Sequence, residues 1–500
     1  FMIVRVIIFE ASNTSFMRLI ISTLVVALTS LLFSVSNAQP PNQLWVNKYE
    51  GYSSFEDRAY DALFDSQGNF VITGKAEYGC TSYDYVTVKY SAAGDTLWFA
   101  VYDGTGDNQE DFPNSLYIDN QDNIYVTGAS DDSYQEQLAT VAYDSNGNEI
   151  WTARYTSAIS AGNDVIADSS GNVYVCGYEE ISNDKDLLLI KYDQNGNQEW
   201  VRTYDNGFYD EGIEMLVDAN QNLILTGVSS GSSFQSRDII TMMYDPAGNM
   251  QWQHIWNAPL ANNYNDTPVD ISFDGSGNIY VYGFSYYSNT SNSDYILLKY
   301  DQNGTFIWDQ NYDSPFNNSE IAQDFVVDST GNSYVTGYSI GMGTQWDYTT
   351  VKFNTNGQQI WAQRQDSTAR NDYGRSISLD ESTQMIFVTG DMNLGSNGVT
   401  DRRNFVTYQY DTSGTIVRTF GYQGPADNFD LPYKIALDGN GNIGIAGVAS
   451  TYVYGYGDMA AVMFDPAGTL MWERLWNGQG FVDDQGPVSY THLTLPTKIV

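Results

Sequence analysis

The stretch Asp168-Ser-Ser-Gly-Asn-Val-Tyr-Val-Cys-Gly177 decides the fold, because versions of it recur along the whole chain. Its closing glycines are separated by 49 to 57 residues. Repeats of this length are typical of propeller blades, in which each unit forms one four-stranded sheet. The eight copies are Asp65–Gly74, Asp119–Gly128, Asp168–Gly177, Asp218–Gly227, Asp274–Gly283, Asp328–Gly337, Asp380–Gly390 and Asp438–Gly447.

A second phrase, Lys-Tyr-Asp-x-x-Gly-x-x-x-Trp, follows in each unit, as in Lys191-Tyr192-Asp193 with Gly196 and Trp200. The seventh unit has Arg418 in place of the tryptophan. An aromatic residue usually stands four positions further on, and in a strand those two positions share a face. Regular spacing predicts packing between blades rather than a sugar-binding surface. The seven tryptophans are Trp98, Trp151, Trp200, Trp252, Trp308, Trp361 and Trp472.

Local signals predict four strands per unit, joined by tight Asp-x-x-Gly hairpins. Apolar runs without alternation, such as Leu187–Ile190, indicate strands that are covered on both faces. The sequence therefore predicts an all-β protein, a single eight-bladed β-propeller of four-stranded antiparallel blades. Seven to nine blades stay open, because an orphan strand stands at 44–49 and a further unit would begin near Asp483.

The Asp-x-x-Gly-Asn-x-Tyr-Val-x-Gly units resemble the secreted bacterial β-propeller repeat family over residues 44 to 484. The Gly-x-x-x-Trp phrase is also distantly similar to the tryptophan-docking motif of quinoprotein propellers. The resemblance implies a secreted propeller. It is a weak guide to activity, because the shared residues are structural.

The two ends do not belong to the repeats. Met17-Arg18, the apolar run 19–33 and the small residues before Gln39 predict a secretory signal peptide at 17–38. We expect residues 1–16 to be upstream read-through and 39–486 to be the propeller, with an incomplete ninth unit from about 483. Residues 487–500 resemble translated sequencing-adaptor read-through, as in a metagenomic fragment. The expected location is outside a Gram-negative cell or on its outer surface.

Composition excludes several classes of function. The 61 acids against 22 Lys and Arg give a net charge of −39, which would repel nucleic acid. Two cysteines and two histidines disfavour a disulfide scaffold, a Cys-rich zinc site and histidine catalysis. No catalytic motif is recognisable, so we expect a protein that is not an enzyme. Apart from the leader, no segment resembles a membrane span.

Acidic residues stand eight positions before the motif aspartate in every unit but the third, which has Ser160. All fall at the start of the innermost strand, so the fold would gather them around one mouth of the channel. Two interpretations stay open: a ring that binds Ca²⁺, or carboxylates that accept backbone N–H groups and join blades, which we favour. The residues are Asp57, Asp111, Asp210, Asp266, Glu320, Asp372 and Asp430.

Aromatic residues outside the regular positions are the candidates for ligand contact. They fall in the longer connections between second and third strands, where binding residues concentrate. The sequence favours a non-catalytic binding, adhesion or scaffold module, acting as a monomer on a protein or glycan at the cell surface. The alternative is a carbohydrate-active or quinone-dependent propeller enzyme. The candidate contacts are Tyr286, Tyr287, Trp346, Tyr452, Tyr454 and Tyr456.

Overall fold

The computed structural model describes residues 57–476, except 78–81, 106–108, 133, 232–235, 259–264, 287–291, 315–317, 342–343, 368–369, 394–401, 427–428 and 451–456. All of them belong to one compact unit. Every regular element among them is a β-strand, as the all-β prediction requires. No helix in this part of the chain could cross a membrane.

The 32 strands form eight consecutive groups of four, which we number as blades 1 to 8. Blade 1 holds β1 (Arg58–Phe64), β2 (Phe70–Glu77), β3 (Tyr83–Tyr90) and β4 (Thr96–Tyr102); blade 2 holds β5 (Asp111–Ile118), β6 (Ile124–Asp131), β7 (Glu136–Tyr143) and β8 (Glu149–Tyr155). Blade 3 holds β9 (Ile159–Ala167), β10 (Val173–Ile181), β11 (Asp184–Tyr192) and β12 (Gln198–Tyr204); blade 4 holds β13 (Tyr209–Val217), β14 (Leu223–Ser230), β15 (Asp238–Tyr244) and β16 (Met250–Trp256).

The second half repeats the arrangement. Blade 5 holds β17 (Asp266–Phe273), β18 (Ile279–Tyr286), β19 (Ser293–Tyr300) and β20 (Phe306–Tyr312); blade 6 holds β21 (Glu320–Val327), β22 (Ser333–Ile340), β23 (Trp346–Phe353) and β24 (Gln359–Gln365). Blade 7 holds β25 (Tyr373–Asp380), β26 (Met385–Asn393), β27 (Arg403–Tyr410) and β28 (Ile416–Tyr422); blade 8 holds β29 (Leu431–Leu437), β30 (Ile443–Ser450), β31 (Gly457–Phe464) and β32 (Leu470–Trp476).

Within each blade the strands pair antiparallel in chain order, so every blade is a meander. A single parallel pairing, Lys185 with Tyr209, joins blades 3 and 4 into one eight-stranded sheet. In each blade the register between first and second strands shifts by one residue, which is a β-bulge. The bulge lies five positions before the motif aspartate, as at Tyr60 between Ala59 and Asp61.

The blades close into a ring. The first strand of each blade contacts the first strand of the next, and β1 contacts β29, β30 and β31 of blade 8. Across this seam the Asp57 N–H donates to the Gly457 carbonyl at 2.9 Å, and Trp472 Nε1 donates to the Ala92 carbonyl at 3.0 Å. Blade 8 is built from its own four strands, with β32 outermost. The protein is therefore an eight-bladed β-propeller; the orphan strand expected at 44–49 lies outside the described residues.

The hydrophobic core lies between blades rather than inside one sheet. One cluster joins Val71 and Tyr85 of blade 1 to Leu116 and Val126 of blade 2, all of them buried. β19 is buried along its whole length, because neighbouring blades cover both of its faces. Burial of such strands is the main favourable contribution to stability in a fold of this kind.

The tryptophan phrase connects each blade to the next. At the first junction the Nε1 of Trp98 and the Nζ of Lys89 both donate to the Ser145 carbonyl, at 3.1 and 3.0 Å, in the outer hairpin of blade 2. The glycine of that hairpin, Gly147, lies flat against the indole ring, where a Cβ would stand 2.5 Å from a ring carbon. The spacing of glycine and tryptophan therefore positions each indole against the glycine of the following blade.

The exceptional seventh unit keeps the contact by other means. Arg418, which replaces the tryptophan, donates from Nη1 to the Pro466 carbonyl at 2.8 Å. The ring of Phe420, two residues later in β28, takes the place of the indole against Gly468. The junction thus keeps a side-chain hydrogen bond to a backbone carbonyl and an aromatic ring packed against the glycine of the next blade.

Candidate functional site

The seven acids eight positions before the motif aspartate lie at the blade junctions, and none lines the central cavity. All seven are buried, and each stands at or next to the start of a first strand. Asp372 shows their bonding: its carboxylate accepts the backbone N–H groups of Ser367 at 2.7 Å and Asn393 at 2.8 Å. The connection from the preceding blade is thereby held against the second strand of the next.

The expected gathering of these acids around one channel mouth is not what the structure shows. The charged neighbours of Asp57, Asp210 and Asp266 include acids of the preceding blade, because each side chain points into the junction. In the third copy the Ser160 hydroxyl replaces the carboxylate and accepts the Leu138 N–H at 2.9 Å. The ring is thus a series of separate junction residues.

Burial leaves these junction carboxyl groups poorly solvated. It raises the pKa of Asp57 and of Glu320 to about 8 and that of Asp266 to about 7, with nearby acids adding to the effect. Asp84, at the start of β3 beside Asp103 and Asp111, has its pKa raised to about 8 for the same two reasons. The junctions therefore bring together carboxyl groups whose ionised form is disfavoured by burial and by one another.

A second set of polar residues lines the central channel, where the structure has a cavity of about 220 Å³. These residues stand four positions before the motif aspartate, directly after the bulge. Five are acids, two are serines and one is a lysine, and all but the buried Asp164 and Ser376 line the cavity: Asp61, Asp164, Glu214, Asp270, Asp324, Ser115, Ser376 and Lys434. This layer was not predicted from the sequence, although an acid stands at the same repeat position in five of the eight units.

Most residues of the channel layer hydrogen-bond from one blade to the next. Asp61 Oδ2 accepts the Leu116 N–H of blade 2 at 2.9 Å. Asp164 Oδ2 accepts the Met215 N–H of blade 4 at 2.9 Å, and Asp324 Oδ2 accepts the Ile377 N–H of blade 7 at 3.0 Å. The layer therefore joins neighbouring blades by polar contacts near the axis, in addition to the apolar contacts between the blades.

Lys434 is the one cation of the layer. Asp324 first, and then Asp61, Asp270 and Glu214, raise its pKa far above the ordinary value, so it is charged at any physiological pH. Burial raises the pKa of Asp270 well above its usual range, with the Asp324 carboxylate contributing, and raises that of Asp164 to about 7. Burial and neighbouring acids thus favour the protonated form of these two carboxyl groups.

The basic side of the channel continues into an aromatic cluster on blades 6 and 7. Arg375, which lines the cavity, and Arg403 both bind the buried carboxylate of Asp391, at 2.8 and 2.7 Å. The guanidinium carbon of each lies 4.9 or 4.8 Å from the ring centre of Tyr373. Blades 7 and 8 are therefore basic where the rest of the channel is acidic.

Two of the six predicted ligand-contact aromatics can be placed, and both lie in strands rather than in loops. Tyr286 pairs with Ser293 at the end of β18, and Trp346 pairs with Ile340 at the start of β23. Backbone pairing continues further into these connections than the turn signals predicted. The Trp346 ring lies 5.0 Å from that of Tyr338, next to the arginine cluster. Tyr287, Tyr452, Tyr454 and Tyr456 lie outside the described residues.

Cys176 in β10 and His254 in β16 lie in different blades and each packs within its own surroundings. Cys176 is buried and unpaired, with a thiol pKa raised far above its ordinary value by burial. The His254 ring stacks on Phe306 at 5.5 Å. Cys80 lies outside the described residues.

Comparison with known proteins adds the following. No protein-family model matches the chain, and no curated protein matches it. Among solved structures, Sqt1 from Chaetomium thermophilum bound to the N-terminus of ribosomal protein L10 is 10% identical, covering 80% of this chain and 98% of its own, with a TM-score of 0.48. A eukaryotic initiation factor is 10% identical, covering 85% and 97%, with a TM-score of 0.43.

The propeller domain of the trilobed protease from Pyrococcus furiosus is 9% identical, covering 73% of this chain and 99% of its own, with a TM-score of 0.41. At such identities and scores these similarities carry no argument about function.

Proposed function

We propose that this protein is an exported, non-catalytic β-propeller that acts as a binding, adhesion or scaffold module on the outer surface of a Gram-negative cell. The observation that carries the proposal is the use of the channel groups. Carboxylate oxygens of Asp61, Asp164 and Asp324 accept hydrogen bonds from backbone N–H groups of neighbouring blades. Groups that hold the ring together are poorly suited to a catalytic cycle in which their partners must change.

The blade edges are the surface left for a partner. The connections between second and third strands differ most from blade to blade: two residues, Ser182 and Asn183, in blade 3, but the whole stretch 394–402 in blade 7. Such variation on a repeated scaffold is typical of binding loops. The aromatic and arginine cluster around Trp346 lies beside these edges, and its chemistry suits a glycan or an acidic protein surface.

Export is supported by the signal peptide that the sequence predicts at 17–38 and by the acidic composition. The test is expression of the full chain in a Gram-negative host, followed by fractionation and N-terminal sequencing. We expect mature protein outside the cytoplasm that begins at Gln39. Material retained in the cytoplasm with an intact leader would contradict the proposal.

Binding is tested with the exported protein on glycan arrays and on intact cells. We expect Trp346→Ala to weaken a detected interaction about tenfold or more, because interface tryptophans carry a large share of binding energy. Ile360→Ala is the control, since Ile360 is 52% exposed in β24, the outermost strand of the same blade, and lies outside the connections between second and third strands. Equal losses in both variants, or no binding in either assay, would count against a binding role at this edge.

A carbohydrate-active enzyme is the second candidate, and the Asp270–Asp324 pair favours it. The two carboxyl groups share a hydrogen bond beside Lys434, as a general acid and its partner would. Turnover of a glycan that is lost in Asp270→Asn, with binding retained, would favour this candidate over a non-catalytic module.

A further inference from the structure

After blades 1 and 5, three positions of the repeat meet at the junction: the start of the third strand, the residue after the fourth strand, and the acid that begins the first strand of the next blade. After blade 3, two acids come from the start of the third strand and one follows the fourth strand. In the described residues, three junctions bring three carboxylates together, with one oxygen of each within 4.8 Å of the others. We name these acidic junction clusters: Asp84, Asp103 and Asp111; Asp184, Asp186 and Asp205; and Asp294, Asp313 and Glu320.

Their dimensions match the coordination shell of a hard cation. Calcium takes oxygen ligands at about 2.3–2.6 Å, so ligands on opposite sides of the ion are about 5 Å apart. Three oxygens that all lie within 4.8 Å of one another can therefore share one ion. Further oxygens would come from second carboxylate oxygens and water.

Buried carboxylate oxygens at these junctions lack a protein partner. Asp84 is 2% exposed and its Oδ2 accepts no hydrogen bond; Glu320 is fully buried, with the Ser314 hydroxyl beside its carboxylate. Asp210, fully buried beside the middle cluster, has an unmatched Oδ1 and interacts electrostatically with Asp184 and Asp205. Unmet buried acceptors are costly, so each cluster calls for a donor or a cation.

Other junctions show what a satisfied site looks like. In blade 6 the fourth strand carries Arg364, whose Nε lies 3.5 Å from Asp347 Oδ2 at the start of β23. In blade 2 the corresponding Arg154 donates from Nε to Gln137 at the start of β7. Blades 1, 3 and 5, which carry the acidic junction clusters, have Val101, Thr203 and Asn311 at this position. Blade 6 thus has a cation at this position and blade 2 has no acid opposite it, whereas blades 1, 3 and 5 have no cation there, and only the Asn311 amide donates to a cluster acid, Asp294, at 3.2 Å.

We propose that each of the three acidic junction clusters binds one divalent cation of the calcium class and so joins neighbouring blades. Alternate blades, the first, third and fifth, would each hold their successor through an ion. The net charge of −39 favours cation accumulation at all three.

The test uses the full-length protein, stripped with a chelator and then dialysed against Ca²⁺ at about 1 mM, the range in which extracellular modules bind it. Metal analysis is expected to give three bound ions per chain, and Ca²⁺ is expected to raise the Tm by on the order of 3 °C over the chelated protein. Absence of bound Ca²⁺ together with an unchanged Tm would overturn the proposal.

The double variant Asp184→Asn/Asp186→Asn is expected to bind two ions. In chelator it should melt at or above the wild-type temperature, because like-charge repulsion has been removed. A purely structural role for these acids predicts the reverse, a lower Tm and no change in bound metal. If the double variant folds poorly, Asp205→Asn, a substitution at an exposed position, replaces it in the test. This variant should need a higher Ca²⁺ concentration to saturate its sites.

Asp366→Asn is the matched control. It removes the corresponding acid after the fourth strand of blade 6, where Arg364 already supplies a positive charge. We expect three ions and an unchanged calcium effect. Loss of an ion from this variant, or three ions in the double variant, would show that the sites are not the ones proposed.

Discussion

At the scale of single residues, the channel layer combines structural and electrostatic roles. The position after the bulge holds five acids, yet only Lys434 is positively charged. The backbone bonds of Asp61, Asp164 and Asp324 explain why carboxylates are retained there despite their mutual repulsion. The lysine lowers the cost of placing them around one narrow space.

Lys434→Met tests this role. Removing the cation leaves its acidic neighbours Asp324, Asp61, Asp270 and Glu214 uncompensated, and we expect a loss of about 3 kcal/mol in unfolding free energy at pH 7. Protonation of the acids should reduce the loss at pH 5. Lys434→Arg keeps the charge and serves as the control in urea unfolding. Equal stability of the Met and Arg variants would exclude the counter-ion role.

Asp164 predicts a dependence of stability on pH. Burial raises its pKa from the ordinary 3.8 to about 7, with Ser115, Asp61 and backbone N–H groups around it. Between these values the folded protein holds a proton that the unfolded chain has released, so stability falls as pH rises through this window. The Tm of the wild type should be higher at pH 5 than at pH 8, and Asp164→Asn should reduce the difference. A Tm that rises with pH in both proteins would contradict the assignment.

At the scale of elements, the outer hairpin of one blade is fitted to the indole of the preceding one. Gly147 has φ of +83° and no room for a Cβ against Trp98, whereas Gly171 has φ of +80° with its nearest neighbour at 3.7 Å. The first glycine thus meets two requirements, a left-handed backbone and close approach, and the second only one.

Gly147→Ala is therefore expected to cost about 2 kcal/mol more in unfolding free energy than Gly171→Ala, because it adds overpacking to backbone strain. Gly439→Ala, with no positive φ and nothing within 4 Å, should stay within about 0.5 kcal/mol of wild type. Urea denaturation of the three variants measures the differences. Similar losses at Gly147 and Gly171 would mean that the indole moves aside at little cost.

The elements were the part of the structure that could be predicted from sequence. Eight copies of the Asp-x-x-Gly and Gly-x-x-x-Trp phrases determine where strands begin and turn, because both signals are local. The placement of Asp372 and its equivalents could not be predicted, since it depends on how the connection from the preceding blade is held. The Asp270–Asp324 pair was also invisible, because its members meet only when two neighbouring blades bring their innermost strands together.

At the scale of the whole molecule, the ring closes between blades 8 and 1, and no described strand is exchanged across that seam. At every other junction the chain itself passes from one blade to the next. Between blades 8 and 1 the described residues are joined only by contacts such as those of Trp472 with Ala92 and Tyr90. The seam should therefore be the place where a lost contact has local consequences.

Trp472→Ala is expected to increase amide hydrogen exchange selectively in β1–β4 and β29–β32. The same substitution at Trp200, whose junction is covalently continuous, should raise exchange less and around blades 3 and 4. Hydrogen–deuterium exchange with mass spectrometry at matched stability makes the comparison. A uniform increase along the chain for both variants would mean that the ring opens as one unit.

The bulge repeated in every innermost strand has a consequence for how such a molecule can change. The extra residue lines the central cavity in seven of the eight blades, while strand pairing continues on either side of it. Single substitutions at these positions can thus change the residue types that line the channel, blade by blade, while strand pairing is kept. Diversification along the axis is thereby separated from the requirement to stay folded.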